Sequence, residues 1–241
     1  MGLFFGYGII LQLLALIHFA RRRPEYYWLW IIFLGGGLGA LAYLLIEAAP
    51  DIVLVQQSFK VFPRRKRIRQ LQTIILDNPA PGNYEELADL YREEGRFSEA
   101  REAYSKSITP RTGTAHNYYG RALTELELGD WAAAAQDLER VVANDRQHDY
   151  GRALGLLALS HAQSGNRERA AQLFAEATQT STLSETQYNY ACFLRDQGRA
   201  AEAREWAQRL LTKKNTLPGY LKRRERPWFR KATAFLKALP A

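Results

Sequence analysis

The stretch that decides the fold is residues 118–138, YYGRALTELELGDWAAAAQDL, near the middle of this 241-residue chain. It contains Gly129, and comparable glycines stand at Gly95, Gly165 and Gly198, separated along the chain by 34, 36 and 33 residues. Glycine ends a helix at little cost because it readily adopts a left-handed backbone conformation. The spacing therefore predicts a unit of two helices, joined near its glycine and repeated four times.

Other positions repeat in step with the glycines. Alanine recurs seven residues before and five residues after each glycine, and mostly bulky residues recur eleven before and nine after. These sets are Ala88, Ala122, Ala158 and Ala191; Ala100, Ala134, Ala170 and Ala203; Tyr84, Tyr118, Leu154 and Gln187; and Tyr104, Leu138, Phe174 and Ala207. Small residues let two helices cross closely, and bulky residues fill the space between units. The pattern is strongest in the first two units and weakens in the fourth.

A period near 34 residues with two helices per unit resembles the tetratricopeptide repeat. The resemblance covers residues 81–214 and implies an all-α protein with an α-solenoid of about four units, each burying its apolar face on the next. It also implies a groove lined by the first helix of each unit. We expect this groove to bind a protein or peptide partner of apolar and acidic character. The predicted groove residues are Asp89, Arg92, Tyr119, Leu123, Leu126, Arg152, Leu159, Tyr188, Asn189, Cys192 and Arg195.

The C-terminal segment, residues 215–241, is predicted to be a basic capping helix. Its apolar residues share one helical face that would pack on the last unit: Trp228, Ala232, Phe235, Leu236 and Leu239. Its remaining positions are rich in lysine and arginine. This charge either keeps the end of the array solvated or provides a second electrostatic contact, with a membrane or with an acidic partner.

Residues 1–50 contain two apolar runs, Leu3–Ala20 and Tyr26–Ile46, with three arginines between them. The first run has eighteen residues without a charge, with Gln12 and His18 as its polar exceptions, and is near the minimum length that crosses a hydrocarbon core of ~30 Å. Aromatic residues at the start of the second run are typical of a membrane interface. We therefore expect a two-helix transmembrane hairpin. Gly35 and Gly39, and Gly2 and Gly6, have the spacing that lets helices pack closely, and the alternative is that glycine is simply common in membrane helices. A cleaved signal peptide is less consistent with the sequence, because no basic residue precedes the first run.

The stretch HFARRRPEYYWLWIIFLGGGLGALAYLLIE, residues 18–47, resembles the two-helix N-terminal membrane domain of phospholipase-D-type cardiolipin synthases. The matching features are the basic linker, the aromatic start and the LGALAYLL ending. The His-x-Lys-x4-Asp motif of that family does not occur in this sequence. The resemblance therefore implies an anchor in a bacterial inner membrane and no lipid chemistry.

Residues 51–80 are predicted to form a basic juxtamembrane neck and a helix. The basic side chains of the neck would contact anionic lipid headgroups. They are Lys60, Arg64, Arg65, Lys66, Arg67 and Arg69. Because they outnumber the arginines between the apolar runs, we expect both termini and the soluble domain in the cytoplasm. The spacing of Ile68, Leu71, Ile74 and Ile75 predicts a helix that packs on the first repeat.

The distribution of charge argues against nucleic acid as a partner. Residues 1–80 carry a net charge of +5 and residues 211–241 carry +8, but the repeats at 81–210 carry −5. Cys192 is the only cysteine, so an intrachain disulfide is impossible. The sequence contains no glycine-rich phosphate loop, nucleophile motif or metal-ligand spacing. We therefore expect no cofactor and no enzymatic activity.

These patterns favour a scaffold or adaptor anchored in the bacterial inner membrane, whose repeats recruit a protein partner. The alternative is a non-catalytic regulator at the membrane surface, acting in cardiolipin-type phospholipid metabolism or in envelope assembly. The alternative depends on the predicted anchor and on the two basic segments, the neck residues Lys60 to Arg69 and residues 211–241.

Overall fold

The computed structural model describes residues 2–22, 25–48 and 61–239, and all regular secondary structure in these ranges is helical. The predicted all-α class is therefore confirmed. The chain divides into two compact units, Met1–Arg67 and Ile68–Ala241.

The first unit contains α1 (Gly2–Arg22), α2 (Tyr27–Leu34) and α3 (Gly36–Tyr43), followed by a π-helical turn at Leu44–Ala48. The helices share a core of Ala15, Phe19, Trp28, Ile32, Ala40 and Tyr43. Two polar side chains of α1 are satisfied across this core. Gln12 Nε2 donates to the Ile32 carbonyl oxygen at 3.0 Å, and His18 Nδ1 is hydrogen-bonded to Tyr43 Oη at 2.8 Å.

The predicted transmembrane hairpin is not supported. Among the described residues, no helix combines the length and the apolar composition that are needed to cross a bilayer. The second apolar run is divided at Gly35 into two helices of eight residues. Each is about 12 Å long, against a hydrocarbon core of about 30 Å. The predicted integral location in the inner membrane with two spans is therefore wrong. The prediction that the repeats lie on the cytoplasmic side depended on those spans and is no longer supported.

The glycines of the second run shape a bend and not the predicted contact between two long helices. Gly36 has a φ of +56°, and a Cβ at Gly39 would overlap the Ile31 carbonyl oxygen. The close approach of α1 to α3 occurs elsewhere. A Cβ added to Gly37 would lie 2.9 Å from the Cα of Gly8.

The second unit is built from helix pairs that follow α4 (Val61–Asp77). The pairs are α5 (Pro81–Glu93) with α6 (Phe97–Ser107), α7 (Ala115–Leu128) with α8 (Trp131–Asn144), α9 (Arg152–Gln163) with α10 (Arg167–Thr180), and α11 (Ser184–Asp196) with α12 (Ala200–Thr216). A last helix, α13 (Gly219–Ala238), packs against α12 and α11.

The four repeat glycines stand between the two helices of each pair, as the spacing predicts. Gly95, Gly129, Gly165 and Gly198 have φ values between +74° and +85°, and the second helix begins two residues after each. This left-handed backbone conformation strains every residue that carries a side chain. The glycines are therefore the local cause of the repeated turn.

The repeated alanines form the interior of the solenoid. All eight alanines that keep step with the glycines are completely buried, as are the residues nine positions after each glycine. One apolar cluster runs from Ala122 to Phe193 and so joins three successive pairs. Each pair therefore completes the core of its neighbour.

Helices at both ends form further apolar clusters with the terminal pairs. In α4, Ile68 and Leu71 are buried together with residues of α5, as predicted, and Ile74 is exposed. At the other end, α13 buries Ala232 and Phe235 against the fourth pair. The first pair is thus covered by α4 and the fourth pair by α13.

Candidate functional site

The first helices of the repeats line a cleft of about 460 Å³. Leu123 and Leu126 come from α7, and Leu156 and Leu159 come from α9. The other lining residues are Arg92, Phe97, Glu127, Trp131, Arg152 and Glu185. Because α5, α7, α9 and α11 all contribute, this central cleft spans the four pairs. Its lining combines four leucines and two aromatic side chains with two arginines and two glutamates.

Five of the predicted groove residues line the central cleft, namely Arg92, Leu123, Leu126, Arg152 and Leu159. A neighbouring cleft of about 180 Å³ contains the predicted residues Asn189 and Cys192 and shares Leu159 with the first. The structure thus brings seven of the eleven predicted residues to two adjacent clefts.

Arg152 is held at the cleft by an ion-pair network. Its Nε donates to Glu185 Oε2 at 2.6 Å and its Nη2 donates to Oε1 at 3.2 Å. Asp149 Oδ2 lies 3.6 Å from Arg152 Nη1 and accepts a hydrogen bond of 2.7 Å from Tyr119 Oη. Burial alone would lower the pKa of Arg152, but the hydrogen bonds to Glu185 and the nearby negative charge raise it. Burial and then the hydrogen bond to Asp149 raise the pKa of Tyr119, which stays a neutral donor.

Arg92 is held by a similar network at the first pair. Its Nε donates to Tyr104 Oη at 3.2 Å, and that hydroxyl donates to Asp89 Oδ1 at 2.5 Å. Asp89 also lies 3.1 Å from His116 Nε2. The predicted groove residues Asp89 and Tyr119 therefore act on the cleft by fixing its two arginines.

Two predicted groove residues, Tyr188 and Arg195, pack against α13. The ring centroid of Tyr188 lies 5.8 Å from that of Trp228 and 6.0 Å from that of Phe235. The Arg195 guanidinium lies 5.3 Å from the centroid of Phe235, and its Nη2 lies 2.8 Å from Asp196 Oδ1. Tyr188 therefore packs between α11 and α13 and does not line the central cleft.

Sequence reasoning missed five residues of the central cleft: Phe97, Glu127, Trp131, Leu156 and Glu185. The aromatic pair carried a periodic signal, since Phe97 and Trp131 each stand two residues after a repeat glycine. Glu127, Leu156 and Glu185 carried no periodic signal that distinguishes them from other residues on the helix surfaces.

The predicted basic residues of the neck are not among the residues that line the two clefts. Lys60 is outside the described residues, and the remaining five lie on α4: Arg64, Arg65, Lys66, Arg67 and Arg69. Their predicted contact with anionic lipid is not supported.

Repeated helix pairs that pack on one another, with a cleft along their first helices, define an α-solenoid. Family profiles described as tetratricopeptide repeat match residues 82–109 and 119–185. These segments are tetratricopeptide repeats, as the glycine spacing predicts. The matched segments lie outside residues 1–50, and the resemblance of that segment to phospholipase-D-type cardiolipin synthases is not supported. No curated protein matches the chain.

Solved structures share the fold. MamA from Desulfovibrio magneticus RS-1 has a TM-score of 0.60 at 15% identity, covering 72% of this chain and 98% of that chain. YrrB, described as a TPR protein with an unusual peptide-binding site, has a TM-score of 0.57 at 17% identity over 64% of this chain and 79% of its own. A tetratricopeptide repeat protein from Parabacteroides merdae has a TM-score of 0.54 at 20% identity, covering 66% of this chain and 65% of that one. At these identities the likeness is one of fold.

Proposed function

We propose that this chain is a non-catalytic adaptor whose central cleft binds an apolar peptide segment of a partner protein. Tetratricopeptide arrays present an extended surface for such contacts, and YrrB shares the fold and is described as having a peptide-binding site. The observation that carries the proposal is the lining itself. Four leucines, Phe97 and Trp131 lie along one cleft that reaches across all four helix pairs.

The ion pairs at the cleft indicate which charges the bound peptide should carry. Arg152 already has a two-point contact with Glu185, and Arg92 is engaged by Tyr104 and Asp89. Acidic groups on a partner would have to compete with these internal contacts, so apolar contacts provide most of the affinity. Glu127, in contrast, is exposed at the cleft and makes no ion pair with any described residue. A lysine or arginine in the peptide would complement it.

Selection of peptides from a random 12-residue display library on the immobilised full chain tests the proposal. We expect enriched sequences with several large apolar residues and one basic residue. Leu126→Arg places a charge in the cleft and should weaken binding of the selected peptides at least tenfold. The matched control is Leu128→Arg, on the same helix but outside the cleft lining, which should change binding less than twofold.

Glu127→Gln tests the charge separately. We expect it to abolish the preference for a basic residue while apolar peptides are still selected. Peptides that bind the Leu126→Arg variant as tightly as the parent chain would exclude the central cleft as the binding site. Circular dichroism of each variant shows whether the helices are retained.

A further inference from the structure

A third cleft, of about 640 Å³, lies between α12 and α13 and shares no residue with the central cleft. Its apolar lining includes Leu211, the buried Phe229 and Ala234. Six basic side chains surround this lining, and no acidic residue of the described ranges contributes to it. They are Lys214, Lys222, Arg223, Arg226, Arg230 and Lys237. We call this site the basic cleft.

The positive charge of the basic cleft is largely uncompensated within the described part of the chain. Lys214, Arg226, Arg230 and Lys237 are exposed and form no ion pair with a described residue. The one acidic residue of α13, Glu225, is buried away from this cleft. It accepts a hydrogen bond from Lys213 Nζ at 3.1 Å and another from Ser184 Oγ. Like charges gathered without counter-charges raise the local potential and favour an anionic partner.

The packing of α13 indicates which secondary structure the partner segment should have. Like the first helix of a repeat, α13 packs against both helices of the preceding pair. In each complete pair the first helix is also covered by its own second helix, whereas among the described residues only those of α12 and α13 line the basic cleft. The flank of α13 that borders the basic cleft is therefore open to a helix from outside.

We propose that the basic cleft docks an acidic, amphipathic helix of a partner protein, which packs along α13 as the second helix of a repeat packs along its first. An apolar stripe on the docking helix covers Leu211 and Phe229, and its flanking carboxylates face the lysines and arginines. The cleft extends along α13 from Lys222 to Lys237, which corresponds to about 22 Å, or four helical turns. A phosphate-bearing surface would complement the charge, but it would leave the apolar lining in water.

Fluorescence anisotropy with the full chain and two labelled synthetic peptides tests the proposal. The first peptide has 18 residues, with leucines at helical spacing on one face and glutamates elsewhere. The second has the same composition in an order that gives no apolar face. We expect the amphipathic peptide to bind at least tenfold more tightly than the shuffled one, and its affinity to fall severalfold as salt is raised, because salt screens exposed charges.

Matched variants locate the binding. Arg226→Glu with Arg230→Glu should weaken binding of the amphipathic peptide at least tenfold. Arg111→Glu with Arg169→Glu changes the net charge equally at exposed arginines outside the cleft and should change affinity less than twofold. Ala234→Trp fills the cleft without altering charge and should weaken binding at least fivefold. Leu126→Arg in the central cleft should have no effect, which separates this proposal from the preceding one.

Three results would overturn the proposal. The first is equal binding of the amphipathic and shuffled peptides. The second is unchanged affinity in the Ala234→Trp variant, which would reduce the effect to general attraction between charges. The third is failure of the peptide to bind while vesicles with 30% phosphatidylglycerol, or double-stranded DNA, bind the parent chain and not the Arg226→Glu, Arg230→Glu variant.

Discussion

Glu125 of α7 is a buried carboxyl group in an unfavourable electrostatic environment. Its neighbour Asp137 receives two hydrogen bonds from Arg121, of 2.6 and 2.8 Å, whereas Glu125 Oε1 lies 3.8 Å from that guanidinium. Glu125 Oε2 has no hydrogen-bond partner among the described residues. Burial, followed by the negative charge of Asp137, raises the pKa of Glu125 to about 7.

This raised pKa makes stability depend on pH. The folded chain holds the Glu125 proton more tightly than the unfolded chain, where the pKa is near 4.5. The contribution of Glu125 to the free energy of unfolding therefore falls as pH rises from about 4.5 to about 7, and is constant above that range. Glu125→Gln should flatten this part of the profile, measured by urea unfolding at pH 5 and pH 8. The control is Glu127→Gln, an exposed change on the same helix that should leave the profile intact; an unaltered slope in Glu125→Gln would contradict the assignment.

The loop before α9 contains three consecutive residues in the left-handed backbone region. Asp149, Tyr150 and Gly151 have φ values of +51°, +58° and +79°. Left-handed backbone costs a residue with a side chain roughly 1–2 kcal/mol, and Tyr150 recovers little of this by packing because it is 86% exposed. Asparagine tolerates this conformation better. Tyr150→Asn should therefore raise the free energy of unfolding by about 0.5–1 kcal/mol.

Chemical denaturation measures this gain, and Tyr220→Asn is its control. Tyr220 is also strongly exposed, at 72%, but lies in the first turn of α13 with ordinary helical backbone. Tyrosine and asparagine have similar helix propensities, so the control should be nearly neutral. A loss of stability in Tyr150→Asn would show that the tyrosine side chain contributes more than its exposed position implies.

At the scale of the helix, the distance between pairs depends on small residues at the crossing points. Gly120 of α7 faces the ring of Tyr104 in α6, and a Cβ there would lie 2.5 Å from the tyrosine Cζ and Oη. The ring cannot move aside freely, because its hydroxyl is bonded to both Asp89 and Arg92. The close packing of α7 on the first pair therefore requires glycine at position 120.

Gly120→Ala should therefore lower the free energy of unfolding by about 1–3 kcal/mol, the range typical of an overpacked interface. This effect opposes the gain in helix propensity that alanine brings. The comparison is Gly82→Ala in the first turn of α5, where a Cβ meets no atom within 4 Å. That change should be neutral or stabilising by up to about 1 kcal/mol. Thermal or denaturant unfolding of both variants distinguishes steric conflict from propensity; equal effects would contradict the packing argument.

At the scale of the whole repeat array, the pairs share a core and stabilise one another. Leu154 of α9 is 1% exposed and belongs to the cluster that joins the second, third and fourth pairs. Leu154→Ala should lower the free energy of unfolding by about 2–5 kcal/mol, because it leaves a cavity in that cluster. Hydrogen exchange should then accelerate throughout α7 to α12. Acceleration confined to α9 and α10 would mean that the pairs unfold independently, and Leu128→Ala at a partly exposed position should change little.

The array and its core were predictable from the sequence because their causes are local or periodic. The chain needs a glycine at each turn and an alanine at each helix crossing. These residues therefore recur at a nearly constant interval, and their roles do not depend on which residues of the neighbouring unit they contact. The groove residues Leu123, Leu126 and Leu159 were implied by the resemblance to tetratricopeptide repeats, and the structure places them at the central cleft. The prediction from apolar runs failed for residues 26–46, because hydropathy records apolar character and not the bend at Gly35 and Gly36.

By itself, the sequence determined that this chain is helical, that it contains repeated helix pairs, and that charge accumulates near the C-terminus. Only the tertiary structure decided which charges are already neutralised and which surfaces are open. Arg152 meets Glu185 from 33 residues away, Tyr188 is covered by α13, and the basic residues of α13 are gathered around an apolar cleft. The physical reason is that repeat spacing reports what each residue does within its own unit, whereas ion pairing and exposure depend on side chains brought together from distant parts of the chain.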